Sequence, residues 1–275
     1  MLNTLQQNHS MNLILASKQD LAGMNIAHHL TELFDFEKIQ ENHYICKDCF
    51  LAFIEKDSVY AEFVEKEFDR EIDFIIFASR HSSEAGVPSL TAHTPGNFGA
   101  ADFGGSPEEI CFSNPTAQKL ALKELQTQKN ELNLDFEVSM EATHHGPLTG
   151  KLTMFIEIGS HKEQWTNKKA GEAVAVSLMK ATEYQKYTFP KAVGIGGGHY
   201  CQKHTRVMLF RTHAIGHVLA KYVPVTKENV TKAVNRNGGC DAFILDWKGT
   251  PQRSAVAEML EEFSLPIFKA KTLLR

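Results

Sequence analysis

The sequence has too little cysteine for a disulfide framework: five residues, scattered through 275. Reduced thiols are therefore expected. Cys46 and Cys49 form a CxxC, but no second pair follows at zinc-ribbon spacing, so the pair is read as structural or incidental rather than a metal or redox site. No run approaches the ~20 apolar residues that span a bilayer. The opening MLNTLQQNHSMNLIL lacks the basic stretch, apolar run and small-residue cleavage site of a secretory leader. A cytoplasmic location with no membrane partner is the expectation. Also missing are a GxSxG elbow, a GK[ST] after the glycine-rich stretch, and a GxGxxG with a following acidic residue. These absences argue against a serine nucleophile and against a nucleotide cofactor. With no repeat, low-complexity linker or sharp compositional break, residues 1–10 are expected to be a flexible extension and residues 11–275 a single domain.

Charge is present but unevenly divided. Residues 1–140 carry 10 Lys plus Arg against 22 Asp plus Glu, and residues 141–275 carry 19 against 11. The net charge of −4 hides this split, which points to an anionic ligand met by one face of the fold.

Short apolar runs alternate with helical patterns. MNLILAS (11–17) reads as a strand and the segment after it as a helix; HYICKD and CFLAFIEK read as a hairpin, and EIDFIIFAS (71–79) as a buried strand. A long loop rich in Gly, Pro, Ser, Thr and His is expected from Arg80 to about Pro115, a length that usually signals function. Then follow a helix with Thr116 as its cap, strands at LDFEVSME and KLTMFIEIGS, one long helix over EQWTNKKAGEAVAVSLMKATEY, and continued alternation to the end. The fold class is α/β, a mixed, mostly parallel sheet flanked by helices.

Polar clusters recur where strands end: ASRHSSEAG, TAHTPGNFG, EATHHGP, IEIGSHKEQW and GIGGGHY. In open α/β sheets such strand ends form the ligand crevice. His81, His93, His144, His145, His161, His199 and His204 all lie in or beside these junctions, and a shared pocket would collect them. Histidine suits it because imidazole exchanges a proton near neutrality and binds metals when neutral. In an extended segment His144 and His145 would point to opposite faces, one into the pocket and one supporting the loop. HSSE, His81 to Glu84, matches an HxxE ligand spacing; His93, His199 or His204 could complete a zinc site. Gly196, Gly197 and Gly198 would let backbone N–H groups face an oxyanion, and Lys203 and Arg206 are candidate phosphate contacts.

Four stretches, SRHSSEAGVPSLTAHTPGNFG, EATHHGP, FIEIGS followed by a Trp, and GIGGGHY followed by a His, occur in an order that resembles the archaeal and plant type of D-aminoacyl-tRNA deacylase. The resemblance runs from about Met11 to the C-terminus. It implies a monomeric zinc enzyme, with a fold likened to peptidyl-tRNA hydrolases and nucleoside phosphorylases, that hydrolyses the ester between a D-amino acid and the 3′ end of tRNA. Broad tolerance of the D-side chain and a role in translation quality control come with it. The basic half would then meet the acceptor stem. Under this reading Glu141, His144 and His145 are the expected catalytic residues, with either histidine activating water. Asn97, Gly196, Gly197, Gly198, Lys203 and Arg206 are expected to bind substrate, and His81, Glu84, His93, His199 and His204 are the candidate metal ligands. Two rivals stand beside it: a zinc amidohydrolase or peptidase built on His81 and Glu84, and a non-catalytic tRNA-binding protein.

Overall fold

The computed structural model describes residues 10–275, so all but Ser10 of the expected N-terminal extension lies outside the described residues. The chain forms β1 (Met11–Ser17), α1 (Leu21–Leu33), β2 (Glu37–Gln40), β3 (His43–Cys46), β4 (Cys49–Ile54), β5 (Ile72–Ser82), β6 (Ser89–His93), α2 (Pro115–Glu131), β7 (Glu137–Met140) and β8 (Leu152–Ser160). After these come α3 (Lys162–Trp165), α4 (Lys168–Thr182), β9 (Lys191–Ile195), α5 (Gln202–Phe210), β10 (Ala214–Leu219), α6 (Lys227–Arg236), β11 (Ala242–Leu245), α7 (Arg253–Glu261), β12 (Ile267–Lys269) and α8 (Ala270–Leu273). No described helix is long and apolar enough to cross a membrane.

The fold is α/β and its sheets are mostly parallel. The strands divide into an eight-stranded sheet, ordered β2-β3-β4-β1-β5-β8-β6-β7, and a four-stranded sheet, β10-β9-β11-β12. Antiparallel pairing is confined to β2–β3, β3–β4 and β6–β8. The central strands β1, β5 and β8 are buried on both faces, which explains their near-continuous apolar runs. Side chains alternate between those faces. Ile14, Ala16, Phe74, Ile76, Ala78, Met154 and Ile156 join a core with α1, α2 and α4, whereas Leu13, Leu15, Ile75, Phe77 and Phe155 pack with Phe50, Ala61 and Val64 on the other side. Helices α2 and α5 touch both sheets, and Ala192, Ile215, Val218 and Ile244 of the second sheet join the first core.

Three sequence expectations change. The long loop contains β6, which pairs with both β7 and β8. Helix α2 is capped by Asn114, whose side chain accepts from the Ala117 N–H, with Pro115 in the first turn; Thr116 lies inside the helix. The long helix is interrupted before α4, where Asn167 caps a new start by accepting from the Ala170 N–H. The CxxC forms the β3–β4 turn: Cys46 and Cys49 are direct cross-strand partners, both buried, and burial pushes the Cys49 thiol up to about 12. The charge division survives folding. Residues 191–275, which build the second sheet and its helices, carry 13 Lys plus Arg against 6 Asp plus Glu.

Asp20 ties α1 to the end of β5. Its side chain caps the helix by accepting from Ala22 and Gly23 N–H groups at 2.8 and 3.1 Å. It also accepts from the Arg80 N–H at 2.8 Å and the Ser79 hydroxyl at 3.1 Å. Asp20→Ala leaves these buried donors unpaired and is expected to cost roughly 2–4 kcal/mol in urea unfolding, against a smaller loss for Asp20→Asn, which keeps an acceptor. Equal losses for the two variants would show that the oxygen is not what matters.

Candidate functional site

Register decides which side chains meet. Thr91 and Ser79 lie opposite Glu157 on its two neighbouring strands, while His93 and Phe77 lie opposite Phe155. Paired residues share a face of a sheet, so His81, Thr91, His93 and Glu157 emerge on the same side, at the carboxyl end of β5 and β8. The segment after β7 brings Glu141, His144 and His145. The turn after β9 brings His199 and Tyr200 from the second sheet, held by an Ala142 N–H donating to the His199 carbonyl at 2.9 Å and a bridge between Glu141 and Tyr200.

The centre is Glu141, buried, with four imidazoles around its carboxylate. His81 Nδ1 lies 3.1 Å from one oxygen; His199 Nε2, His144 Nε2 and His93 Nδ1 lie 3.3, 3.6 and 3.7 Å from the other. Burial alone would push the Glu141 carboxyl up, but His199, His81 and His144 outweigh it and hold it down at about 2. Glu157 is the opposite case. Burial and the neighbouring Glu141 charge push it well above the usual carboxylate range, so the pair divides into one ionised and one protonated carboxyl. Burial also depresses His81, His93, His144 and His145, strongly for His93 and His144, which keeps these rings neutral at neutral pH.

Neutral rings have one N–H each, and their partners fix which nitrogen carries it. His144 Nδ1 donates to the Ala142 carbonyl at 2.8 Å and His145 Nδ1 to the Gly146 carbonyl, so both present a bare Nε2. His81 Nε2 meets the Tyr200 hydroxyl at 2.6 Å, and its carbonyl accepts from Trp165 Nε1 at 3.0 Å. The His144 lone pair therefore faces an ionised carboxylate oxygen. Both Glu141 oxygens and both His93 nitrogens lack a hydrogen-bond partner, although all are buried. Converging, unpaired lone pairs are what a cation satisfies. The His93, His144, His145 set, the His81, Glu141, His199 set and the His93, Glu141, Glu157 set each place three donor atoms within 4.8 Å of one another.

Beside this cluster lies a pocket of about 400 Å³, lined by His144, His145, Thr143, Asn97, Phe103 and Tyr222 among others. His144 and His145 do not point apart. His145 takes a left-handed backbone, φ 43°, and the two rings lie 4.2 Å apart, so both face the pocket.

Other expected residues fall elsewhere. Glu84 is exposed: the turn from Ser83 to Gly86, held by a 3.2 Å backbone bond, carries it into solvent, away from the histidines. The HxxE pair is therefore not a ligand pair, and the peptidase reading loses its basis. His204, on α5, is turned towards β11, 3.0 Å from the Ile244 carbonyl, and His161 is exposed at the start of α3. The N–H groups of Gly196 and Gly197 already donate to Leu219 and Gly249 carbonyls at 2.7 and 3.0 Å, so they cannot serve an oxyanion. These glycines serve packing instead: Gly196 has φ +83°, and a Cβ there would meet Thr250 Oγ1 at 2.1 Å. Lys203 is tied to Asp246 and Arg206 is exposed on α5, whereas Asn97 does line the pocket, its Nδ2 donating to the Gly104 carbonyl at 2.9 Å. Sequence reasoning missed Glu157, Tyr200 and His217. A charge inside the apolar run LTMFIEIGS was the available signal for Glu157.

Comparison with known proteins bears on this geometry. Residues 68–268 match the family described as D-aminoacyl-tRNA deacylase. The chain is similar to the D-aminoacyl-tRNA deacylases of Pyrococcus abyssi and Thermococcus kodakarensis, each at 38% identity over 94% of this chain and 100% of the relative. A crystal structure of a conserved protein of unknown function superposes with a TM-score of 0.89 at 33% identity, covering 97% of this chain and 98% of that one.

His217 braces the site from β10. Fully buried, it lies 3.0 Å from the hydroxyl of Thr143, the residue before His144, and burial depresses its imidazole from 6.5 to about 3. The unfolded chain binds a proton below pH 6.5 that the folded chain refuses until about pH 3, so this contribution is complete above pH 6.5 and lost as pH falls through that window. Between pH 7 and 5 the loss is roughly 2 kcal/mol. His217→Gln should flatten the fall in stability over this range in denaturant titrations; an unchanged slope would remove His217 from the account.

Proposed function

The chain belongs to the D-aminoacyl-tRNA deacylase family and hydrolyses the ester bond of D-aminoacyl-tRNA, and we propose that it does so in the pocket beside Glu141, with water as nucleophile and zinc as cofactor. The observation that carries the reading is the set of four imidazoles around one ionised, buried carboxylate at the edge of a pocket of about 400 Å³. The unpaired His93 and Glu141 atoms fit a metal, and the donor types suit zinc. His81, Glu141 and His199 would hold the ion, which supplies polarisation of the ester carbonyl and acidification of water when bound.

The chain's own groups do the rest. His145, with Nδ1 committed to the Gly146 carbonyl, takes a proton from the attacking water at Nε2 and returns it to the departing 3′ oxygen of the tRNA. His144 and Glu141 position the neighbouring donors, and Glu157, protonated, keeps a second negative charge out of the buried cluster. The N–H of Gly198 is the one donor of the three glycines without a partner among the described residues. It is our candidate for the developing oxyanion. The basic second layer, with Arg206 exposed on α5, meets the acceptor stem. The enzyme works as a monomer in the cytoplasm, where its substrate is made.

D-tyrosine and L-tyrosine release from charged tRNA tests the reading. Fast release of the D-form, lost on chelation and restored by zinc, is expected; chelator-insensitive release would remove the metal from the account. His145→Ala should lower the rate roughly 10²-fold or more while zinc content holds. Glu141→Gln should lose both rate and zinc. Glu84→Gln should stay within about twofold of the parent rate, as an exposed side chain outside the cluster should.

A further inference from the structure

Two large aromatic side chains stand in solvent where the core could have taken them. Phe103 is 67% exposed and Tyr222 57%, and both line the pocket that His144 and His145 close on its reacting side. They come from different parts of the fold, Phe103 from the segment between β6 and α2 and Tyr222 from the turn between β10 and α6. Neither ring packs on another aromatic ring or a cation among the described residues. Exposed apolar surface at a pocket mouth marks a binding site more often than chance.

The backbone beneath both rings is fixed. The Phe103 carbonyl accepts from the Gly146 N–H at 2.9 Å, one residue beyond His145, and Asn97 Nδ2 pins the next carbonyl, that of Gly104, at 2.9 Å. Asn97, expected to touch substrate, thus positions the segment that carries Phe103. On the other side the Lys221 N–H donates to Gly197 at 2.8 Å and the Val223 N–H to Ala220 at 2.9 Å, bracketing Tyr222. Both rings are therefore held in register with the catalytic histidines, which is what a platform requires and a solvent-facing accident does not.

We infer that Phe103 and Tyr222 stack against the terminal base of the tRNA and so place the ester beside His145. This rests on the deacylase reading. With the ester carbonyl at His145, the next groups along the substrate are the ribose and base of an unpaired 3′ end. Unpaired bases are held by aromatic rings, because every base has a π face to stack. Asp102, exposed in the same lining, disfavours a phosphate there and leaves the base as occupant. Stacking of this kind is tolerant of base identity, so the clamp measures the presence of a base and its distance from the ester.

The test compares D-tyrosyl-tRNA ending in adenosine with the same tRNA ending in an abasic ribose. The parent protein should show a KM roughly tenfold or more higher on the abasic substrate, with kcat within a few-fold. Phe103→Ala and Tyr222→Ala should raise KM on the normal substrate by a similar factor and cause no further rise on the abasic one, the signature of an interaction removed from both sides. Tyr222→Phe, which keeps the ring, should reverse most of the rise in KM caused by Tyr222→Ala. Equal losses on both substrates, or a parent indifferent to the base, would overturn the clamp. Affinity for uncharged tRNA with and without the terminal base gives a second readout. If the parent releases no D-tyrosine, the deacylase reading fails, and a base-independent affinity would then sink the clamp separately.

Discussion

The structure depends on one buried carboxylate kept ionised. An isolated charge at the position of Glu141 would be far too costly to bury; four imidazoles converge on it, yet neither oxygen has a hydrogen-bond partner, so the carboxylate calls for a cation that the ring nitrogens would share. Those imidazoles come from β5, β6, the segment after β7 and the turn after β9. The need to satisfy one charge thus binds strands of the first sheet to a turn of the second. Glu157 shows the alternative at the same depth: burial and the charge of Glu141 push its carboxyl well above the usual range, even though the Thr91 hydroxyl donates to it.

Much of this was legible in the sequence. Strands β1 and β8 could be read directly, because strands buried on both faces have no polar alternation to blur them. Strand β6 could not, since SLTAH is short and sits among Gly, Pro and His that read as loop. Its pairing with β8 is non-local and leaves no periodic trace. The split between α3 and α4 was visible in principle, as Asn167 is a good cap, but the apolar positions on either side continue a helical pattern.

The site was half legible for related reasons. The histidine clusters and their gathering at strand ends followed from composition and the α/β pattern, and His81, His93, His144, His145 and His199 do meet. What failed was direction. The left-handed turn at His145 reverses the alternation of an extended chain, the sheet pairing of the second layer consumes the Gly196 and Gly197 donors, and a turn carries Glu84 outward. None of these depends on residue type alone. Each is set by what the backbone must do after distant segments have docked.

The glycine turn after β9 has a temporal consequence. Its position is dictated by Leu219 and Gly249 carbonyls and by the lack of a side chain against Thr250, all of which lie later in the chain than His199 itself. As the protein leaves the ribosome, the acidic first sheet emerges with Glu141 and most of its histidines, yet the last imidazole cannot be seated until the fourth-from-last element has been made and packed. The site is therefore seated only once the chain as far as Thr250 is in place.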